Sequence, residues 1–183
     1  MNENTTGGQN TSLGIDAMRY TLTASENTGI GTSALNKSAT GGRNVGVGNN
    51  ALYSNVGNSR SVAVGFKSMY NADDRSQGRI TGNTAIGYES LKGSATAANN
   101  TGQNNTTTGY QSMVNNSAGN LNSAYGYQAL RNNTTGDNNV AIGANSLSSN
   151  TIGYDNMAIG RSALSSNTSG YGNIAIGKNA LYS

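Results

Sequence analysis

Three constellations in this chain carry residue types and spacings that could do chemistry. Gly46-Val47-Gly48-Asn49-Asn50-Ala51 satisfies the GxGxxA pattern with which a strand-to-helix turn cradles a pyrophosphate, and Gly29-Ile30-Gly31-Thr32-Ser33-Ala34 satisfies it again. Asp73 and Asp74 are adjacent carboxylates with Arg75 and Arg79 close behind, and paired carboxylates can contribute oxygen ligands to Ca²⁺. Phe66, Tyr88, Tyr110 and Tyr127 recur at equivalent positions, a column of rings that could either stack on sugars or pack between chains.

Each is weaker than it first looks. A dinucleotide fingerprint needs a long helix after the glycines and an acidic residue about 20 positions on. Neither copy is followed by a helical pattern, so no cofactor is expected. The charge of Asp73 and Asp74 is offset by Arg75 and Arg79, which makes a solvated loop the preferred reading and leaves no metal expected. The chain has no His and no Cys, so the usual zinc ligands and the usual general base are missing. The remaining carboxylates are isolated. Triplets such as Asn133-Thr134-Thr135 match the glycosylation acceptor but follow from an Asn- and Thr-rich composition. No catalytic site is legible, and the expectation is that the protein is not an enzyme. For the aromatic column, packing between chains weighs more than sugar binding, because rings of this size usually bury.

The elements that would have to position these residues are repeats. Asn139-Val140-Ala141-Ile142-Gly143-Ala144-Asn145-Ser146-Leu147 has near-copies along the whole sequence, with the motif glycine at 14, 31, 48, 65, 87, 109, 126, 143, 160 and 177. The spacing is 17 residues except for two successive intervals of 22. Counting from the glycine, position −4 is Asn in nine units, with Ser61 the exception. Position −2 is always small, +3 is always Ala or Ser, and +4 is always Leu or Met. Position −1 is aliphatic in eight units, Thr108 and Tyr125 departing.

A short apolar-small-apolar run is a strand, and alternation puts −3 and −1 on one face with −2 on the other. The expectation is that Val140, Ile142 and Leu147 fill the core, that Ala141 and Ser146 allow close packing, and that Gly143 makes the corner. The Asn-, Thr-, Ser- and Gly-rich stretch that follows has turn chemistry, because Asn and Gly tolerate positive φ. A helical repeat is disfavoured, since no ten-residue run keeps a 3.6 period and Gly, Asn, Ser and Thr are poor helix interiors. The predicted fold class is therefore all-β, a repeat β-solenoid or β-roll of about ten coils of 17–22 residues. Residues 1–9 form a disordered or capping segment, and 10–183 form the array. At about 4.8 Å per coil the rod would be roughly 48 Å long.

Composition agrees with an array. Of 183 residues only 10% are charged and 34% hydrophobic, there is no Pro, and the net charge is +3. Disordered chains usually carry more charge and proline. The eleven Lys and Arg are scattered singly, so no nucleic-acid stripe is present. No basic segment leads into an apolar run, so no signal peptide is visible, and no apolar run approaches the ~20 residues of a membrane span. A single unit cannot fold alone, because ordering its backbone costs more than two or three aliphatic side chains return. Stacking supplies ladder hydrogen bonds and joins the small cores, and identical Asn side chains above one another can form amide ladders. The core still looks thin for one chain, and the small column at −2 implies a second packed face. Both points favour several chains sharing a core, most simply a parallel homotrimer.

These residues carry a resemblance. Asn139-Val140-Ala141-Ile142-Gly143 resembles the head repeat of trimeric autotransporter adhesins, a trimeric left-handed parallel β-roll. The 17-residue form, as in Asn156-Met157-Ala158-Ile159-Gly160-Arg161-Ser162-Ala163-Leu164, looks more like repeats of phage tail-fibre proteins, which often end in a self-cleaving chaperone. The resemblance runs from Asn10 to Ser183, and the sequence shows no chaperone, coiled-coil stalk, membrane anchor or signal peptide. It implies a left-handed, homotrimeric fibre segment on a virion tail or an extracellular surface. Its partners would be copies of itself and a host cell-surface glycan or protein, with no nucleic acid and no membrane insertion. The adhesin head is the alternative, and an ice-binding solenoid a weaker one, since Thr21-Leu22-Thr23 and Thr106-Thr107-Thr108 fall in different columns.

The two longer intervals are the strongest local signal. Their extra residues fall after the Leu/Met column in consecutive units and should project side by side as loops 70–81 and 92–101. Insertions in repeat arrays often form the binding face. Asp73, Asp74, Arg75 and Arg79 in the first loop and Thr96, Asn99 and Asn100 in the second are the candidate receptor contacts. An inert bulge is the competing reading, because loops tolerate insertion cheaply.

Overall fold

Residues 4–75 and 77–182 are described by a computed structural model. Ten strands of three residues each follow in order: β1 (Thr11–Leu13), β2 (Thr28–Ile30), β3 (Val45–Val47), β4 (Val62–Val64) and β5 (Thr84–Ile86), then β6 (Thr106–Thr108), β7 (Ser123–Tyr125), β8 (Val140–Ile142), β9 (Met157–Ile159) and β10 (Ile174–Ile176). They make one parallel sheet whose spatial order is the sequence order. Equivalent motif positions lie opposite each other, as Ala141 lies between Ala124 and Ala158. The chain is a β-solenoid of ten coils. Among the described residues its one helix is a 3₁₀ turn, Ala97–Asn99.

Each coil bends at its motif glycine, where φ lies between 123° and 140°. A Cβ on Gly143 would stand 2.7 Å from the carbonyl of Gly160 in the next coil. The position thus needs glycine twice over, for its φ and for the approach of the neighbouring backbone. Positive φ recurs two and four residues later, at Asn145 (58°) and Leu147 (49°), and again before the next Asn, at Asp155 (54°). A leucine in that region costs about 1–2 kcal/mol. The bend sends its side chain inward, and burying a leucine returns about 1.5–3 kcal/mol. All ten Leu or Met residues of this column have φ between 48° and 52°.

The Asn-Thr-Ser-Gly turns work differently from the expectation. Gly153 in Asn150-Thr151-Ile152-Gly153 does not have positive φ. It is glycine because a Cβ would meet the Asn150 Oδ1 at 2.2 Å and the Gly170 carbonyl at 2.4 Å. The turn is closed by the Asn150 amide donating to the Gly153 carbonyl at 2.9 Å.

The larger correction concerns the two faces of the sheet. Ala141 is fully buried, whereas Val140 is half-buried and Ile142 is 40% exposed. The same inversion holds in every strand from β2 to β10: the central residue faces in and the flanking pair, larger in all but the all-threonine β6, faces out. The cause is the width of the coil. Leu147 and its equivalents cross the interior and fill it, leaving room opposite for a small residue only, Gly or Ala in most coils and the hydrogen-bonded Thr107 in β6. A Cβ on Gly29 would lie 2.8 Å from the Met18 Cγ, and one on Gly46 would lie 3.2 Å from the Leu35 Cγ. The core is a column of Leu and Met flanked by Ala, with Ser68, Ser90, Ser112 and Ser146 buried beside it. Leu147, Ser146 and Gly143 thus hold the positions expected of them, and Val140 and Ile142 exchange theirs with Ala141.

The two requirements on the motif glycine can be separated. Gly143 and Gly177 share a φ near 125° (129° and 123°), but nothing lies within 4 Å of a Cβ on Gly177. Gly177→Ala should cost only the backbone strain, about 1–3 kcal/mol. Gly143→Ala should add about 1–3 kcal/mol of overpacking and lower the thermal midpoint, followed by circular dichroism, well beyond the Gly177 variant. Equal midpoints for the two variants would refute the close-approach account.

Candidate functional site

The two insertions emerge from the coils that follow β4 and β5 and are tied to each other. Asn71 N–H donates to the Lys92 carbonyl at 2.9 Å. Asn100 Nδ2 donates to the Asn71 carbonyl. Arg79 Nη1 donates to the Thr101 carbonyl at 3.0 Å. The hub is Asp73, whose carboxylate is wholly buried. It accepts Arg75 Nε at 2.8 Å and Nη2 at 2.6 Å, the Arg75 backbone N–H at 3.1 Å, and Arg79 Nη2 at 2.6 Å. Burial by itself would push this carboxyl up, but the hydrogen bonds from Arg75 and Arg79 and the Arg79 charge hold it below the usual carboxylate range.

The seven candidate contacts therefore divide. Asp73, Arg79 and Asn100 are internal fastenings, while Asp74, Arg75, Thr96 and Asn99 are exposed. Beneath the loops lies a partly open recess of about 30 Å³ bordered by Asn55, Ala72, Asp73 and Asn116, room enough for water. Among the described residues no three His, Cys, Asp or Glu come together to hold a metal. No helix there is long and apolar enough to cross a membrane.

The aromatic column is a continuous stack. Phe66, Tyr88, Tyr110 and Tyr127 have successive ring centroids 5.2, 5.0 and 5.4 Å apart and planes within 15° of parallel. Each ring is between 39% and 50% exposed. Because the inner rings cover one another's faces, they present edges to solvent, and a sugar stacking on a ring face would have to use an end of the column. A polar ladder runs beside it: Gln128 Nε2 donates to Gln111 Oε1 at 3.1 Å, and Gln111 Nε2 donates to Glu89 Oε2 at 3.0 Å. Lys92 Nζ pairs with Glu89 at 2.8 Å. Burial would raise the Glu89 carboxyl, and the bonds from Lys92 and Gln111 draw it below the ordinary range.

The GxGxxA segments are ordinary coils. Gly46 lies within β3 and Gly48 makes the corner, with turn rather than helix after it. What the sequence reasoning missed is the outer face of the sheet. Val45, Val62 and Val140 in one column and Ile86, Ile142 and Ile176 in the next give the rod an outer face with apolar patches, broken in the first column by Thr28, Thr84, Thr106 and Ser123 and in the second by Thr108. Its signal was present in the repeat, as one mostly aliphatic column and one divided between aliphatic and Thr or Ser residues, flanking an obligatorily small one.

The Asp73 hub has a definite pH signature. Its carboxyl is depressed in the folded chain, so its contribution is present above the unfolded value of about 3.9 and is lost as pH falls through the lower folded value. Amide protection in 70–81 and 92–101, corrected for intrinsic exchange, should stay constant from neutral pH down to that range and fall below it. Asp73→Asn should remove about 1.5–3 kcal/mol of protection from both loops at pH 7, the range for hydrogen bonds to charged groups. Unchanged exchange in loop 92–101 of this variant would show that the ion pairs do not couple the loops. Compared with known proteins, the chain matches no family model, no curated protein and no solved structure.

Proposed function

We propose that the chain is a rigid structural and adhesive fibre segment whose copies associate side by side, most simply as a parallel homotrimer. The observation that carries this is the apolar outer face of the sheet. Monomeric proteins rarely leave large apolar patches to water, and here aliphatic side chains line that face in β3–β5 and again in β8–β10, on either side of the all-threonine β6. Strands three residues wide and stacked ten deep suit a partner of the same length and repeat, and a second and third copy are such partners. Shared burial of the −3 and −1 columns would supply the core that a coil filled by one Leu and one Ala lacks.

Within that assembly the chain would serve as a shaft that carries recognition surfaces. The resemblance to phage tail-fibre repeats favours attachment to a host surface from a virion tail, with the adhesin head as the alternative setting. The exposed members of the two fastened loops, Asp74, Arg75, Thr96 and Asn99, are the contacts this reading offers a receptor. Ice binding is less well supported. It needs ranks of Thr-x-Thr on an outer face, and only β6, with Thr106 and Thr108, supplies one.

Light scattering coupled to gel filtration tests the assembly. The expected mass is three times the 18.7 kDa of the chain. Val47→Lys combined with Ile142→Lys should dissociate the assembly while leaving the strand signal of each coil intact, because both side chains point away from the coil interior. A single-chain mass at micromolar concentration would overturn the proposal.

A further inference from the structure

The first four coils carry a groove of about 350 Å³, at the small end of the ~300–1,000 Å³ typical of ligand sites. It lies on the turn side of the coils, apart from the aromatic column and from the exposed residues of the second loop. Its wall is a vertical rank of charged residues, Glu26, Arg43 and Arg60, one per coil and each at positive φ (60°, 60° and 63°). Arg43 is committed: its Nε and Nη2 donate to the two Glu26 carboxylate oxygens at 2.9 and 3.3 Å. Hydrogen bonding to Arg43 and its charge draw the Glu26 carboxyl down and raise the Arg43 guanidinium, so the pair stays ionised.

Arg60 is different. It is exposed, and among the described residues it has no ion pair, side-chain hydrogen bond or ring contact. The rank therefore has two cations, one coil apart, and one anion. Such an arrangement leaves room for one further negative charge, and a guanidinium receives a planar carboxylate through two parallel N–H bonds. Around it stand hydroxyls. Thr23 and Thr40 are exposed, and the Ser59 Oγ accepts the Gly42 N–H at 3.1 Å with its own proton free to donate. Ile80, 56% exposed, forms the apolar edge.

A free guanidinium, several hydroxyls and one apolar edge suit a polyhydroxylated ligand with a single carboxylate. We propose that this groove binds the carboxylate-bearing ring of an acidic saccharide. Arg60 would receive the carboxylate, Thr23, Thr40 and Ser59 the ring hydroxyls, and Ile80 the C–H face of the ring. The choice of a saccharide rests on the surface-attachment reading above. The placement of the anion rests on the groove alone.

Calorimetric titration of the intact protein with an oligoglucuronate tests it, with the carboxyl-reduced neutral oligosaccharide and sodium sulfate as parallel probes. The acidic oligosaccharide should bind and the neutral one should not. Arg60→Gln should weaken binding about tenfold or more, the equivalent of one charge-assisted hydrogen bond, with its thermal midpoint unchanged as the check on folding. Glu26→Gln, which frees Arg43 as a second cation, should strengthen it several-fold. Binding that is indifferent to both substitutions would overturn this site while leaving attachment through another surface standing. Sulfate binding without saccharide binding would overturn the saccharide. If none of the probes binds while the chains still assemble, the groove proposal fails and the fibre reading survives.

Discussion

The asparagine ladder at the start of each strand is the interaction on which the remainder of this structure depends. Asn122 shows its full form. Its backbone N–H and its Nδ2 both donate to the Asn105 Oδ1, at 2.9 and 3.2 Å, and its Nδ2 also reaches the Gly136 carbonyl at 2.8 Å. Its own Oδ1 accepts the same two donors from Asn139 at 2.9 and 3.1 Å. A buried amide left unpaired is costly, and a fully paired one specifies a unique arrangement. Every rung therefore sets the register of the coil above it. An interval can grow from 17 to 22 residues only if the chain returns to the same rung, and the insertions do so by looping out after the core leucine. The ladder falters at one rung. Ser61 donates its backbone N–H to the Asn44 Oδ1 but turns its hydroxyl to Thr81 at 2.5 Å, and the longer coils begin there.

A second constraint follows from how little chain each coil contains. One Leu or Met per coil fills the interior, so the strand residue facing it must be small, and the larger strand residues are left outside. Thin cores and apolar exteriors are in this way two sides of one geometric fact. The outer face is what makes association between copies the natural reading, because a rod held together mainly by alanine, leucine and amide ladders still has its largest aliphatic surfaces in water.

Recognition is to be sought where regularity lapses. A second amide ladder runs through Asn116, Asn133, Asn150 and Asn167, at 2.8, 2.9 and 2.9 Å. It is missing at the two long coils, where Ala72 and Ser94 occupy its column. The Asn55 Oδ1 next to this gap is buried without a partner among the described residues, and Asn55 borders the recess beneath the loops. The Asp73 ion pairs fasten the same region from above, so the insertions are held in place where the ladder is absent. The Glu26-Arg43-Arg60 rank is another lapse, a charged column in a chain of which only 10% is charged.

The repeat by itself determined the coil count, the parallel stacking, the corner at each motif glycine, the buried Leu/Met column and the adjacency of the two loops. All of these follow from spacing, and spacing is preserved in any stack of equivalent units. Which strand face turns inward was not determined. Alternation says that Val140 and Ile142 share a face opposite Ala141, but it assigns neither face to the interior. Only the tertiary structure decided it, through the room that Leu147 leaves across a narrow coil. In the same way, sequence placed Asp73 in a solvated loop. Packing made it a buried hub, because the partners of a charged side chain are set by which coils lie above and below it.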